Sequence, residues 1–260
     1  MGPRRSGRAR HLFDCWTAVR RRLRSARRVA LFLDFDGTLV ALRCHPDQVR
    51  LESSLRKLLH RLAGSRKVTV SVISGRRRAD IQRRINVPGV RYLGLYGWET
   101  EGDLFQTCAS AGLVLRARCL LRDGPGKLPS IWIEDKGLGL AVHYRGAAPG
   151  AVRRARLMVG RILGPLKPHL YLQRGKKVWE ILPREIIGKG GAVQALLANA
   201  SRSTLPIYIG DDASDESAFA QLEPGVTVRV GPPRRSAARY RLRDPQEVRR
   251  FLERMVLEIT

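Results

Sequence analysis

Cysteine is scarce in this chain, and so are acidic residues, aromatic rings and long apolar runs. The four cysteines among 260 residues, Cys15, Cys44, Cys108 and Cys119, stand without paired spacing. That pattern builds neither a zinc site nor a disulfide framework, and it fits free thiols in a reducing compartment. No apolar run approaches the roughly 18–20 residues that span a bilayer. Nor does an uninterrupted apolar stretch follow the N-terminal arginines, as a secretory signal requires. A cytoplasmic protein with no membrane partner is the expectation.

The shortage of acid leaves a large positive excess. Lysine and arginine total 49, eight of them lysine, against 23 Asp and Glu, for a formal charge of +26. Such a charge draws polyanions in general, nucleic acid included. The basic residues are spread along the whole length, however, with no zinc-finger, RNP-like or basic-zipper pattern. They read as arginine-rich solvated faces, and they would equally attract a small phosphate ester. Nucleic acid is therefore not an expected partner, and a monomer is expected. An apolar fraction of 43% with 28% charged residues belongs to a globular chain.

What is present is an alternation of apolar strands and amphipathic helices. Residues 1–10 form a polar, Arg-rich segment expected to be disordered. Leu12, Trp16, Val19 and Leu23 recur at helical spacing up to about Arg28. Val29 to Phe35 is a continuous apolar run, as in a strand covered on both faces. A helix over Leu55 to Leu62, a strand at Val68–Ile73, a helix at Ala79–Ile85 and a strand at Tyr92–Tyr96 continue the pattern. Strand and helix in alternation indicate βαβ units around a parallel sheet. Between about Ala109 and Leu182 the order changes to helix, hairpin, helix, hairpin, an α+β insertion. Alternation then resumes: helix Gly191–Ala200, strand Leu205–Ile209, helix Asp215–Leu222, strand Val226–Val230, and a last helix opened by Asp244-Pro245. The expected class is α/β, with a parallel-sheet core at 29–108 and 183–260, an inserted domain at 109–182, and a basic segment with its helix at 1–28.

Polar residues collect at four element ends, where open α/β sheets place their reactive groups. The first strand runs into Asp34-Phe35-Asp36-Gly37-Thr38. Two carboxylates one residue apart can approach one ligand if the chain turns at Gly37, with Asp34 as nucleophile and metal ligand and Asp36 as acid and then base. An ordinary Asx turn would use the same residue types. The second strand ends in Ser74-Gly75-Arg76, whose hydroxyl and backbone N–H groups suit a phosphoryl oxygen. Lys189, between glycines at a helix start, can act as a point charge on phosphate. The strand at Leu205–Ile209 leads into Gly210-Asp211-Asp212-Ala213-Ser214-Asp215-Glu216. Acids at a helix start suit the macrodipole, but clustered carboxylates at a strand end repel unless a cation offsets them, and Mg²⁺ is the hard cation that prefers such oxygens.

In this order the motifs resemble the haloacid dehalogenase-like phosphatases, with the insertion matching that superfamily's α/β cap on a Rossmann-like core. The stretches Ile73-Ser74-Gly75-Arg76, Gly94-Leu95-Tyr96-Gly97-Trp98-Glu99, Glu134-Asp135-Lys136-Gly137, His143-Tyr144-Arg145, Gly175-Lys176-Lys177-Val178-Trp179-Glu180 and Gly210 to Glu216 are similar to the trehalose-6-phosphate phosphatase family from about Leu31 to Val230. The chain departs from the family at Tyr96, where His is usual before Gly97. The resemblance implies an Mg²⁺-dependent phosphoric monoester hydrolase that works through an aspartyl-phosphate. Asp34, Asp36, Ser74 and Lys189 would be catalytic. Asp34, the Asp36 carbonyl and Asp211, supported by Asp212 or Asp215, would hold the metal. Arg76, Glu134, Lys136, His143, Arg145 and Glu180 would bind a small sugar phosphate. Sucrose 6-phosphate, a mannosyl phosphoglycerate, or nucleic acid bound on a phosphatase fold are the competing readings.

Overall fold

Uninterrupted apolar runs need cover on two sides, and the computed structural model shows what covers each one. It describes residues 7–42, 49–101, 108–201 and 203–259. First along the chain come β1 (Gly7–Arg8), β2 (Arg10–His11), α1 (Trp16–Ser25), β3 (Arg28–Leu33), α2 (Ser53–Ala63), β4 (Val68–Ile73), α3 (Arg78–Ile85) and β5 (Val90–Leu93). Next are α4 (Ala111–Asp123), β6 (Trp132–Asp135), β7 (Leu140–His143), α5 (Pro149–Leu163), β8 (Leu170–Gly175) and β9 (Val178–Pro183). Last are α6 (Gly188–Leu197), β10 (Thr204–Gly210), α7 (Glu216–Gln221), β11 (Val226–Val230), β12 (Arg235–Ser236), β13 (Tyr240–Leu242) and α8 (Pro245–Ile259). The chain divides into two compact units, Met1–Gly102 with Gly188–Thr260, and Asp103–Ile187.

In the first unit, seven strands lie in the order β2-β13-β11-β10-β3-β4-β5, with every neighbouring pair parallel. Central β3 explains why its sequence does not alternate. Val29, Leu31 and Leu33 pack with Val19 and Leu23 of α1, Leu59 of α2 and Phe251 of α8. Ala30 and Phe32 point the other way, onto Val193 of α6 and Phe219 of α7. Both faces are dry, so both sets of residues must be apolar.

Of the segment expected to be disordered, residues 1–6 lie outside the described residues and residues 7–10 depart from the expectation. Gly7–Arg8 pairs antiparallel with Arg235–Ser236, and Arg10–His11 adds a parallel edge strand beside Tyr240–Arg241. Leu12 is fully buried behind them. His11 Nε2 lies 2.9 Å from Glu247 Oε2, which also accepts the Arg243 N–H at 2.8 Å. Pairings two or three residues long leave no periodicity in the sequence, which is why β2 and β13 were not legible there. α1 is shorter than the expected helix, because Ala26 already has extended backbone leading into β3. β5 stops at Leu93 and not at Tyr96, since Leu95 and Tyr96 take left-handed φ angles of 46° and 61° in a 3₁₀ turn.

The second unit is a four-stranded antiparallel sheet, β6-β7-β9-β8. Val114, Ala117 and Leu121 of α4 and Ala155, Val159 and Leu163 of α5 cover one of its faces, made by Leu140, Val142, Leu170, Trp179 and Ile181. Cys15, Cys108 and Cys119 are free thiols, and Cys44 lies outside the described residues. Among the described residues no helix is long and apolar enough to cross a membrane.

The Glu247 pair gives the first test. Burial alone would raise this carboxyl, but the Arg243 N–H and His11 hold it below its ordinary 4.5. A carboxyl depressed in the folded state contributes stability above its unfolded pKa and loses it as pH falls through the folded one. Glu247→Gln should therefore lower unfolding free energy by about 1.5–3 kcal/mol at pH 7. In urea melts at a series of pH values, the gap to wild type should close as pH drops below 4.5. A gap independent of pH would contradict the ionised pairing.

Candidate active site

Parallel pairing brings the motif-bearing strand ends side by side. β3 lies between β10 and β4, with Leu33 opposite Ile209 on one side and Val72 on the other. Asp34 continues the ladder by donating its N–H to the Ile209 carbonyl at 2.9 Å. Asp34, Asp211 and Ser74 thus emerge from three adjacent strands at the same sheet edge.

Lys189 joins them. Its ammonium, on the first turn of α6, donates to Asp34 Oδ1 and to Asp215 Oδ1, each at 2.7 Å. All three residues are buried. A lysine near a helix N-terminus opposes the macrodipole, so these two carboxylates are what make the position tenable. Burial would lower the Lys189 pKa, but Asp215 and Asp34 outweigh it and raise it. One ammonium does not neutralise the cluster. Asp34, Asp211 and Asp215 each offer an oxygen within 4.8 Å of the others. Burial, partly countered by Lys189 and reinforced by Asp215 and Asp211, pushes the Asp34 carboxyl well up. Surplus negative charge held by oxygen donors in a buried site fits a divalent hard cation.

Two glycines make the cluster possible. Gly37 has φ +86° and sits where any Cβ would overlap the Asp211 carboxylate. A Cβ on Gly210 would overlap the carboxyl of Asp215, which folds back beneath it. The Asp215 oxygens accept three bonds, from Lys189, from the Tyr208 hydroxyl at 2.7 Å and from the Asp212 N–H at 2.8 Å. Asp215 therefore orients Lys189 and the turn bearing Asp211 and Asp212.

Asp36 is held separately. Arg76 Nε donates to its Oδ2 at 2.6 Å and Nη2 to its Oδ1 at 2.8 Å, a bidentate fork. Arg76 also bonds Asp80 Oδ2 at 3.0 Å. Its guanidinium, expected at the substrate, is thus engaged in positioning Asp36. Ser74 is buried and its Oγ accepts the Arg76 N–H at 3.2 Å. Two contributors carried no role in the sequence reading. Thr38 Oγ1 donates to Asp34 Oδ2 at 3.2 Å, and Tyr208 anchors Asp215. Thr38 lay in plain view within its motif; Tyr208 looked like one more residue of an apolar strand.

The second unit holds the other expected residues. Lys136 Nζ donates to Glu180 Oε1 at 2.9 Å, and both are buried. His143 Nε2 lies 2.8 Å from Glu134 Oε2. Glu134 and Glu180 each stand opposite Ala141 on the intervening strand, so they share a sheet face. Arg145 does not join them; it is exposed and donates to the Lys176 carbonyl at 3.3 Å.

A family model for trehalose-phosphatase matches residues 32–246. The chain belongs to the trehalose-phosphatase family. It is 33% identical to a trehalose-phosphate phosphatase of Mycobacterium tuberculosis, over 90% of this chain and 63% of that one. The chain thus spans just under two thirds of the length of the curated relatives it matches. Among solved structures, the C-terminal domain of Candida albicans trehalose-6-phosphate phosphatase matches 94% of this chain and 98% of its own, with TM-score 0.83 at 20% identity. The sucrose-phosphatase of Synechocystis matches 89% and 98% with TM-score 0.57 at 16% identity. These likenesses show the fold, a parallel α/β core with an inserted antiparallel unit.

Replacing Lys189 with Met keeps its bulk but leaves Asp34 and Asp215 buried without their cation. Denaturant unfolding should show a loss of about 3–5 kcal/mol. A loss under about 1 kcal/mol would mean that the carboxylates are solvated and unpaired in the folded chain.

Proposed function

We propose that this chain hydrolyses trehalose 6-phosphate to trehalose and phosphate through a phosphoryl group carried on Asp34. The observation that carries this reading is the buried Asp34 carboxylate, fixed by Lys189 and Thr38 beside Asp211 and Asp215. A nucleophile so fixed needs no reorientation before an in-line attack. Membership of the trehalose-phosphatase family supports trehalose 6-phosphate as the substrate.

In the first step an Asp34 oxygen bonds to phosphorus as the bond from phosphorus to the sugar oxygen breaks, and Asp36 gives that oxygen a proton. In the second, Asp36 takes a proton from a water molecule that attacks the same phosphorus, releasing phosphate and restoring Asp34. Asp36 must carry its proton before the first step, so its fork from Arg76 has to loosen as substrate arrives. Lys189 and Ser74 offset charge on the phosphoryl oxygens, which is the larger part of catalysis in phosphoryl transfer. Asp34, the Asp36 carbonyl and Asp211, with Asp212 or Asp215 in support, would hold Mg²⁺, whose Lewis-acid charge would favour the ionised form of Asp34. Glu134, Lys136, Glu180 and His143 are assigned to the hydroxyls of the sugar.

Asp34→Asn should leave the fold intact and bring trehalose 6-phosphate turnover below about a hundredth of wild type, since an oriented nucleophile contributes more than that. Residual activity above this level would remove Asp34 from the nucleophile's role. Phosphate release over a panel including sucrose 6-phosphate and mannosyl-3-phosphoglycerate tests the substrate. Activity should be greatest on trehalose 6-phosphate; a preference for another ester would reassign it within the same chemistry. Chelation should abolish turnover, and returning Mg²⁺ should restore it and raise the melting temperature by mass action.

A further inference from the structure

One end of the first unit's sheet carries a group of cations that no assigned role uses. Arg229, Arg241 and His11 are register partners on the neighbouring strands β11, β13 and β2. The residues next to them in sequence, Val228, Val230, Leu242 and Leu12, pack into the core on the other face. The three side chains therefore rise from one face, at the carboxyl edge where these strands end. Arg234, on the turn after β11, joins them. Arg234, Arg241 and His11 line a cavity of about 300 Å³ together with Ala9, Asp14 and Pro233.

Arg76 and Arg84 of the same unit are paired with Asp36 and Asp80. The arginines around this cavity are not paired in that way. Among the described residues, none of Arg229, Arg234 and Arg241 forms an ion pair. Arg234 reaches only a carbonyl, that of Asp211, at 3.4 Å. Arg229 is buried, gives Nη1 to the Pro232 carbonyl and leaves Nε without an acceptor. Burial and then Arg234 hold its guanidinium below the ordinary value; Glu216 and Asp211 act against them, and Arg241 adds to the lowering. Like charges gathered with no carboxylate in contact repel one another strongly where water is scarce. The acids nearby are engaged elsewhere. Asp14, the one acid on the cavity wall, is largely exposed and faces His11 at 3.7 Å. Glu247 takes the other nitrogen of His11, and Glu216 Oε2 accepts from Ser236 and the Ala237 N–H.

A concave wall of unpaired guanidiniums fits a small, doubly charged oxyanion, which accepts paired N–H bonds from arginine. A nucleic-acid backbone calls instead for an extended basic stripe. We propose that Arg234 and Arg241 bind a phosphate dianion in this cavity, free or as the end group of a monoester. The site is distinct from the phosphoryl-transfer cluster, since none of Asp34, Ser74, Lys189 and Asp215 lines the cavity. Arg241 stands two strands from Gly210, about 10 Å by the strand spacing. A bound anion would fasten β13 to the turn after β11.

Isothermal titration calorimetry on the full chain tests this, with inorganic phosphate as probe, ionic strength held constant and a chelator present. Without a divalent cation the carboxylates of Asp34, Asp211 and Asp215 repel the probe, so the second site is read by itself. Wild type should take up one phosphate. Arg241→Gln and Arg234→Gln should each weaken it at least about tenfold, as loss of a charge-assisted bond requires. Arg154 is an exposed arginine of α5; Arg154→Gln removes the same charge elsewhere and should keep the affinity within about twofold. Equal weakening in all three variants would mean a diffuse response to net charge and overturn the proposal. Absence of binding in wild type up to about 10 mM phosphate would overturn it too. The rise in melting temperature on adding phosphate gives a second reading, referenced to each variant without phosphate. It should appear in wild type and Arg154→Gln and vanish in Arg241→Gln; a rise retained in Arg241→Gln would overturn the site. With methyl phosphate as probe, binding through Arg241 would extend the site to monoesters, and exclusion would assign it to the free ion. A chain that binds phosphate here but does not hydrolyse trehalose 6-phosphate would lose the function reading and keep this site.

Discussion

A single buried ammonium between two carboxylates governs the first unit. Lys189 belongs to α6, Asp34 follows β3 and Asp215 follows β10, so its two 2.7 Å bonds tie one helix to two strand ends. None of the three groups could be buried alone without losing its charge. Together they exclude water and still leave net negative charge, since Asp211 lies in the same cluster. The local backbone follows from that arrangement. Gly37 and Gly210 are glycines because a methyl at either position would overlap Asp211 or Asp215, and Tyr208 reaches in from its strand to fill the last acceptor position on Asp215 Oδ1.

Around this centre the chain's abundant arginines act as braces. Asp80 on α3 takes bonds from Arg76, Arg83 and Arg84, at 3.0, 2.7 and 2.8 Å. Burial would raise its carboxyl, but Arg84 and Arg76 outweigh that and hold it at about 2. Arg76 in turn aims Asp36. The acid proposed to protonate the leaving group is therefore oriented through a two-step relay from a helix, while the proposed nucleophile, Asp34, is oriented by direct burial. On the proposed mechanism the contrast is chemically sensible: Asp34 would stay fixed, whereas Asp36 would exchange a proton and need a partner that can let go.

How much of this the sequence carried depended on whether a residue's signal was local. Val29–Leu33 is apolar throughout because both faces are covered, and such a run is legible as a strand without knowing what covers it. The motifs at Asp34, Ser74, Lys189 and Asp211 were legible for the same reason, each being a short string at the end of a strong element. Residues whose role depends on a distant partner were not. His11 needs Glu247, 236 positions away, to fix the edge strand. Arg76 was expected at the substrate because Asp36 and Asp80 come to it only through the fold. Tyr96 shows a further limit: its left-handed φ of 61° ends a strand that composition alone would have continued.

Whether phosphate passes through Asp34 decides the proposed mechanism. Acid quenching during turnover of trehalose 6-phosphate, followed by borohydride reduction and peptide mass spectrometry, converts an acyl phosphate into a reduced side chain at the residue that carried it. Reduction confined to position 34, and lost when substrate is omitted, is the predicted result. Turnover at full rate with position 34 unmodified and reduction at another carboxylate would contradict it.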